Sequence, residues 1–430
     1  MRWDLARTAI VALLTMASAC SQDVPLAESE QLQIGYWQAR ITLPGGHIDT
    51  AFEIGGEADH YRATLINGQE RIRIGEVSFS DGQLKLRFPA FNNEINARLD
   101  NGKLVGTLKL VKLYGKTQVM PFVAMQGSRL SDLDKIETAT ADLSGRWDAR
   151  FDNPDGTSDP SIGEFAQRGS RLFGTFLNQT ADHRYLSGYV SGNNFHLGTF
   201  DGAHAFIFAG TIDGDRIIDA DFWSGTEFHK AWSAERDPDA YLPDAYKLTY
   251  LNPDYDRFDF AFPNLDGQQV SLSDERFDGK VVIVVIAGTW CPNCHDETRL
   301  LTELYEEYGD LGLEVVGLMY EHFDDLDTAT GQIRRYREKF DIRFETLVAG
   351  ISDKTEVSKT LPSLSAILAF PTTIFVDRSG ALRVVHTGFS GPGTGKHHEQ
   401  LREEFSNLII TLLEEQPEPI ETDDPVSQDT

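Results

Sequence analysis

Gly288-Thr289-Trp290-Cys291-Pro292-Asn293-Cys294-His295 is the stretch that decides how this chain is read. An unbroken apolar run, Val281 to Ala287, precedes it, as expected of a strand buried on both faces. A helical pattern begins near Pro292, with Leu300, Leu301, Leu304 and Tyr308 along one face. A strand thus delivers two cysteines to the first turn of a helix. Orphan N–H groups and the helix dipole stabilise negative charge there, and the thiolate is the species that attacks a disulfide. Pro292 suits a first turn, where a missing N–H loses no hydrogen bond. Cys291 is the expected nucleophile, and Cys294, one turn on, is placed to resolve a mixed disulfide.

Three other chemistries compete for the pair. A zinc site wants four ligands, and the only other cysteine is Cys20; His295 and His322 would have to help, and no metal is expected. A peroxidase of the peroxiredoxin kind carries Thr three residues before its cysteine, whereas Thr289 stands two before Cys291. A purely structural disulfide within one helical turn closes too small a loop to stabilise much.

Downstream, Leu313 to Met319 reads as a second buried strand and Thr328 to Phe340 as an exposed, charge-rich helix. In Ala369-Phe370-Pro371-Thr372-Thr373-Ile374 a proline stands just before a buried strand, a place for a cis peptide. Asp377-Arg378-Ser379-Gly380 turns that strand into a hairpin with Leu382 to His386, and His398 to Leu413 forms a last helix. Taken with Trp290 to Cys294, Phe370-Pro371-Thr372-Thr373, Val376-Asp377 and the glycines before the last helix, residues 255–413 resemble the thioredoxin superfamily. Within it they are most similar to the exported TlpA/ResA-like thiol–disulfide oxidoreductases.

The resemblance covers the C-terminal two-fifths and implies an α/β thioredoxin-like fold. It implies a thiol–disulfide oxidoreductase, a disulfide reductase or isomerase, that needs no cofactor. Its substrates would be client protein disulfides, and a membrane electron-relay protein would re-reduce it. Further implications are a redox disulfide between Cys291 and Cys294, a cis Pro371 beside the pair, and a substrate groove at Trp290, Phe370 and Pro371. Glu297 falls where such reductases place a glutamate near the buried thiol, to take the proton of Cys294; the plainer reading is an acid favoured near a helix N-terminus. Two departures leave the direction of electron flow open. Val285 stands where thioredoxin keeps a buried aspartate, and Asn293 stands where many relatives have proline. Gly391-Pro392-Gly393-Thr394-Gly395-Lys396 imitates a phosphate-binding loop, but Ser390 and His397 break the pattern, so it reads as a flexible loop with His397 and His398 solvated.

Ahead of this region the pattern is β. Arg71 to Ile74, Leu84 to Phe88 and Leu108 to Leu110 alternate at period two, and Asp81-Gly82 and Asn101-Gly102 mark tight hairpins. Gly35-Tyr36-Trp37-Gln38-Ala39-Arg40 is echoed by Gly145-Arg146-Trp147-Asp148-Ala149-Arg150, which suggests two tandem antiparallel β-barrel or sandwich-like units, 34–127 and 142–236. A Pro-rich linker, 237–254, follows, and an acidic tail, 414–430, reads as disordered.

Residues 1–19 have the layout of a secretory signal: Arg2 and Arg7, an apolar core, then Ala17-Ser18-Ala19. Cys20 would become the new N-terminus, the place for lipidation, with 20–33 as a tether to a membrane in the bacterial periplasm. A formal net charge of -28 argues against nucleic-acid binding. A rival reading makes the chain an envelope binding lipoprotein, whose β units hold a ligand or partner while the redox domain is auxiliary.

Overall fold

The structure, a computed structural model, describes residues 31–57, 60–127 and 136–415. The signal segment, Cys20, most of the tether and most of the tail lie outside the described residues. No helix among the described residues is long and apolar enough to cross a membrane.

The first β unit consists of β1 (Gly35–Leu43), β2 (Gly46–Gly55), β3 (Arg62–Asn67), β4 (Glu70–Ile74), β5 (Glu76–Ser80), β6 (Gln83–Phe88), β7 (Asn93–Asp100), β8 (Lys103–Val111) and β9 (Thr117–Gln126). Alternation builds these strands: in β6, Leu84, Leu86 and Phe88 face inward between exposed or half-buried polar residues. Asp81 and Gly82 both take positive φ in the turn before it, the twist a two-residue hairpin needs. The order is β4-β3-β2-β1-β9-β8-β7-β6-β5, so the ladder stays open between β4 and β5, which follow one another through Gly75.

The second unit consists of β10 (Gly145–Asp152), β11 (Ser158–Arg168), β12 (Arg171–Asn178), β13 (Leu186–Ser191), β14 (Asn194–Phe200), β15 (Ala205–Asp213), β16 (Arg216–Ser224) and β17 (Phe228–Arg236), and it closes into a barrel. The two units share a plan. Trp37 and Trp147 are both buried, and each indole donates to the carbonyl four residues back, Gln33 and Leu143, at 2.9 Å. β1 lies between β2 and β9, as β10 lies between β11 and β17. They differ between the third strand and the β5 or β13 hairpin. There the first unit inserts β4, while the second has a connection without strand, residues 179–185, and pairs β12 directly with β13. That pairing closes the barrel. Its interior is filled by Phe151, Phe165, Phe176, Phe208, Phe222 and Trp232, with Phe176 and Phe208 ring centroids 4.6 Å apart. Phe200, Ala203, Ala205 and Ile207 of the second unit join the core of the first, so the units are packed together.

The C-terminal unit runs β18 (Ala261–Pro263), β19 (Gln269–Ser271), β20 (Val281–Ala287), α1 (Pro292–Tyr308), β21 (Leu313–Glu321), α2 (Leu326–Phe340), β22 (Glu345–Ile351), α3 (Lys354–Thr360), β23 (Thr372–Val376), β24 (Leu382–Thr387) and α4 (Lys396–Glu414). Its main sheet has the order β22-β21-β20-β23-β24. β20 is central, buried at every residue, parallel to β21 and antiparallel to β23.

Several expectations need correction. α2 is not an exposed helix: it buries Ala329, Gln332, Ile333 and Tyr336. β22 and α3 had no counterpart in the sequence reading, because the apolar stretch Thr346 to Ile351 is short and broken by Gly350. Residues 237–254 are not a free linker: Ala240 packs on Ile162 and Leu177 of the barrel, while the Tyr246 hydroxyl donates to Glu404 at 3.1 Å and Leu251 bridges Leu364 in the C-terminal unit. The tether gives way to structure before its expected end, since Leu32 is buried in the first core.

Trp147 is buried in the barrel core, and its N–H is satisfied by the Leu143 carbonyl. Trp147→Ala is expected to cost the second unit about 3–5 kcal/mol, and Trp147→Phe less than half of that. Hydrogen exchange of barrel peptides across a urea series measures both; equal, small losses would contradict the packing described.

Candidate active site

β20 ends in the middle of its sheet and hands the chain to α1 through Gly288, Thr289 and Trp290. Cys291 is the N-cap of α1, with extended backbone, and its Sγ accepts from the Cys294 N–H at 3.2 Å. Pro292 follows in the first turn, where no N–H is needed. Both thiols are free. The Cys291 thiol donates to the Phe370 carbonyl at 3.4 Å, and the Phe370–Pro371 peptide is cis. The fold therefore brings Cys291 and the segment before β23 into contact. Trp290 closes the other side: its indole donates to the Tyr320 carbonyl at 2.9 Å, meets Phe370 edge-on at 5.3 Å and stacks on His322 at 4.5 Å.

The surroundings are dry. Cys291 is 4% exposed, Cys294 1% and Phe370 8%. Burial pushes the Cys294 thiol well above its usual range, helped by its contact with Cys291 and by the nearby Glu297. Glu297, one helical turn beyond Cys294, is fully buried. It accepts from the Thr373 hydroxyl through one oxygen; the other has no partner among the described residues. Burial raises it to about 8.

Three further groups were not foreseen. Glu321, at the end of β21, accepts from the Thr289 N–H at 3.0 Å and its hydroxyl at 2.6 Å, and burial raises it to about 7. His295 is held neutral by burial, so it donates from Nε2 to the Thr289 carbonyl (2.7 Å) and accepts at Nδ1 from Lys339 (3.3 Å). Tyr336 of α2 donates to the Cys294 carbonyl at 3.1 Å. Thr289 is thus gripped from two sides, which fixes the entry to the cysteines. The one available signal was Glu321, an acid ending an otherwise apolar strand. His295 and His322, weighed as metal ligands, are occupied in these contacts. His397 and His398 are not simply solvated: His397 pairs with Glu164 of the barrel, and His398 is buried against the Ser390 carbonyl.

Residues 256–385 match the AhpC/TSA family. The C-terminal domain is thioredoxin-like. Over 130 residues it is 28% identical to the thioredoxin-like protein YneN of Bacillus subtilis, covering 30% of this chain and 68% of that one. The thiol–disulfide oxidoreductase ResA of Halalkalibacterium halodurans is 28% identical over 152 residues, 35% of this chain and 73% of its own. The ResA of Bacillus thuringiensis is 28% identical over 121 residues, 28% of this chain; the match spans only 61% of that relative. Among solved structures, a secreted thiol–disulfide isomerase of Corynebacterium glutamicum aligns at 21% identity and a TM-score of 0.30, covering 41% of this chain and 97% of that one. These likenesses stop at the thioredoxin-like domain.

Glu297 and Glu321 keep their protons in the folded state well above the usual 4.5 and lose them on unfolding. Stability of the thioredoxin-like domain should therefore fall as pH rises from about 4.5 to about 8, by at most about 1.4 kcal/mol per pH unit for each group. Urea unfolding of the reduced protein at several pH values should show a shallower slope in Glu297→Gln and Glu321→Gln; slopes identical to wild type would contradict these buried acids.

Proposed function

We propose that the protein is a thiol–disulfide oxidoreductase that reduces disulfides in client proteins through Cys291 and Cys294. The contact that supports this most directly is Cys291 Sγ at the α1 N-terminus, touching the carbonyl just before the cis proline, with the Cys294 N–H pointed at it. The Cys291 thiolate attacks one sulfur of the client disulfide, forming a mixed disulfide and expelling the other sulfur as a thiolate. Cys294 then loses its proton and attacks Cys291 Sγ. The client leaves with both sulfurs reduced, carrying the two electrons the pair has lost, and Cys291 and Cys294 are left joined as a disulfide. A carboxylate of pKa about 8 is a stronger base than a solvated one, so ionised Glu297 serves to take the Cys294 proton. Trp290, Phe370 and Pro371 form the face at which a client strand pairs. A membrane electron relay returns the pair to the dithiol. Export to the periplasm and tethering through lipid on Cys20 rest on the sequence of residues 1–20.

The rival reading, a ligand held by the β units, is disfavoured in one form. The second barrel is filled by its own aromatic side chains, which leaves the outer surfaces for any partner.

Cys291→Ser should abolish disulfide reduction in a single-turnover assay, and Cys294→Ser should accumulate a mixed disulfide detectable by mass. Wild-type rates in Cys291→Ser would overturn the proposal. Resolution of the mixed disulfide should quicken as pH rises through about 8, and Glu297→Gln should lose that limb while keeping the first attack. An unchanged pH profile would remove Glu297 from the mechanism.

A further inference from the structure

The connection between β12 and β13, where the two β units differ, lies on the thioredoxin-like domain beside the cysteines. Asp182 accepts from the Gly391 N–H at 2.6 Å and from the Asn293 side chain at 3.0 Å. Arg184 donates to the Pro292 carbonyl at 3.2 Å and to the carboxylate of Asp296, one turn into α1. Both residues between the cysteines are therefore held from the barrel. The first unit reaches the same place from the β3–β4 hairpin: Glu70 of β4 accepts from Arg184, and Asn67, at the end of β3, donates to the Tyr185 carbonyl at 3.2 Å. Its Phe91 stacks on His295, with ring centroids 4.6 Å apart and planes within 13°.

The facing loop is shaped for this contact. A β-carbon added at Gly388 would lie 2.5 Å from the Thr180 carbonyl oxygen, and one added at Gly393 would lie 2.8 Å from the carbonyl carbon of Arg184. Only glycine admits the barrel backbone at these two positions. The loop that imitates a phosphate site is in fact a seat for the barrel. Asp182, Arg184, Asn293 and Asp296 are all buried by the docking.

A client protein needs open surface around the attacked thiol, several hundred Å² even for a transient encounter. The first turn of α1 and the loop at 388–393 flank Cys291, and the barrel already covers them. We propose that Asp182 and Arg184 are specificity-determining residues: while they hold the β12–β13 connection in place, a disulfide carried by a protein is excluded from Cys291, and such a client is served only when the connection lifts. This rests on the thiol–disulfide reading above. It also gives the β units a role: they choose the size and shape of disulfide that the dithiol meets.

The test uses the full chain, pre-reduced, in single-turnover reactions with insulin as the protein disulfide and glutathione disulfide as the small one. Gly393→Leu wedges the contact, since the nearest atoms all belong to Arg184 and the Gly393 backbone is not left-handed. Asp182→Ala cuts the grip on Gly391 and Asn293, and it carries the test if the wedge does not fold. Either variant should raise hydrogen exchange across 388–395. It should also raise the insulin-to-glutathione rate ratio about tenfold, the effect of an equilibrium moved by one decade. A ratio unchanged while exchange rises overturns the proposal, and so does unchanged exchange in both variants. If wild type and variants reduce neither disulfide, the thiol–disulfide reading itself fails, which is a different result.

Discussion

One guanidinium is shared by three parts of this molecule. Arg184, 8% exposed, faces Glu70 of the first β unit, Asp201 of the second and Asp296 of the helix that carries Cys294. Asp182 stands beside it, raised to about 6 by burial and pulled the other way by the Gly391 N–H and the Arg184 charge. A buried ion pair of this kind gains little over apolar packing, but removing one partner strands charge and costs about 3–5 kcal/mol. Its use is geometric. Carboxylates from separate units are satisfied together only in one relative placement, so the arginine sets how the β units sit on the redox domain. In a chain with net charge -28, a gathering of acids at one joint would otherwise repel.

Beneath that joint lies a second constraint, dryness. The cysteines, Glu297, Glu321, His295 and Tyr336 are all buried. Burial pushes both acids toward their neutral forms. Glu321 and His295 meet at Thr289, so the approach to Cys291 is rigid before any client arrives. Such preorganisation suits a thiol whose attack must be in line with the disulfide it breaks.

Much of the C-terminal domain was legible. Period, caps and proline placement are local properties, and Val281 to Ala287, Cys291-Pro292 and Phe370-Pro371 display them openly. Less was legible wherever a residue acts through something distant in sequence. α2 reads as exposed because its charged residues outnumber the few that face inward, and Tyr336 is known as a site neighbour only once α2 packs on α1. β22 is too short and too broken by Gly350 to stand out. In the β units, the repeat of Trp37 and Trp147 and the alternation of Arg71 to Ile74 that becomes β4 were visible, but the docking connection at 179–185 was not, since it has no local signature.

By itself the sequence determined the local arrangement of the pair: two cysteines at the start of a helix, a proline before a facing strand, and an acid one turn on. Spacing along one helix and one strand suffices for that. The tertiary structure decided what lies beside the pair. Asp182 and Arg184 lie more than a hundred residues from Cys291, and their role arises from a close approach of backbones at Gly388 and Gly393. No pattern in either segment alone encodes that approach, because it exists only when three separately folded surfaces share one arginine.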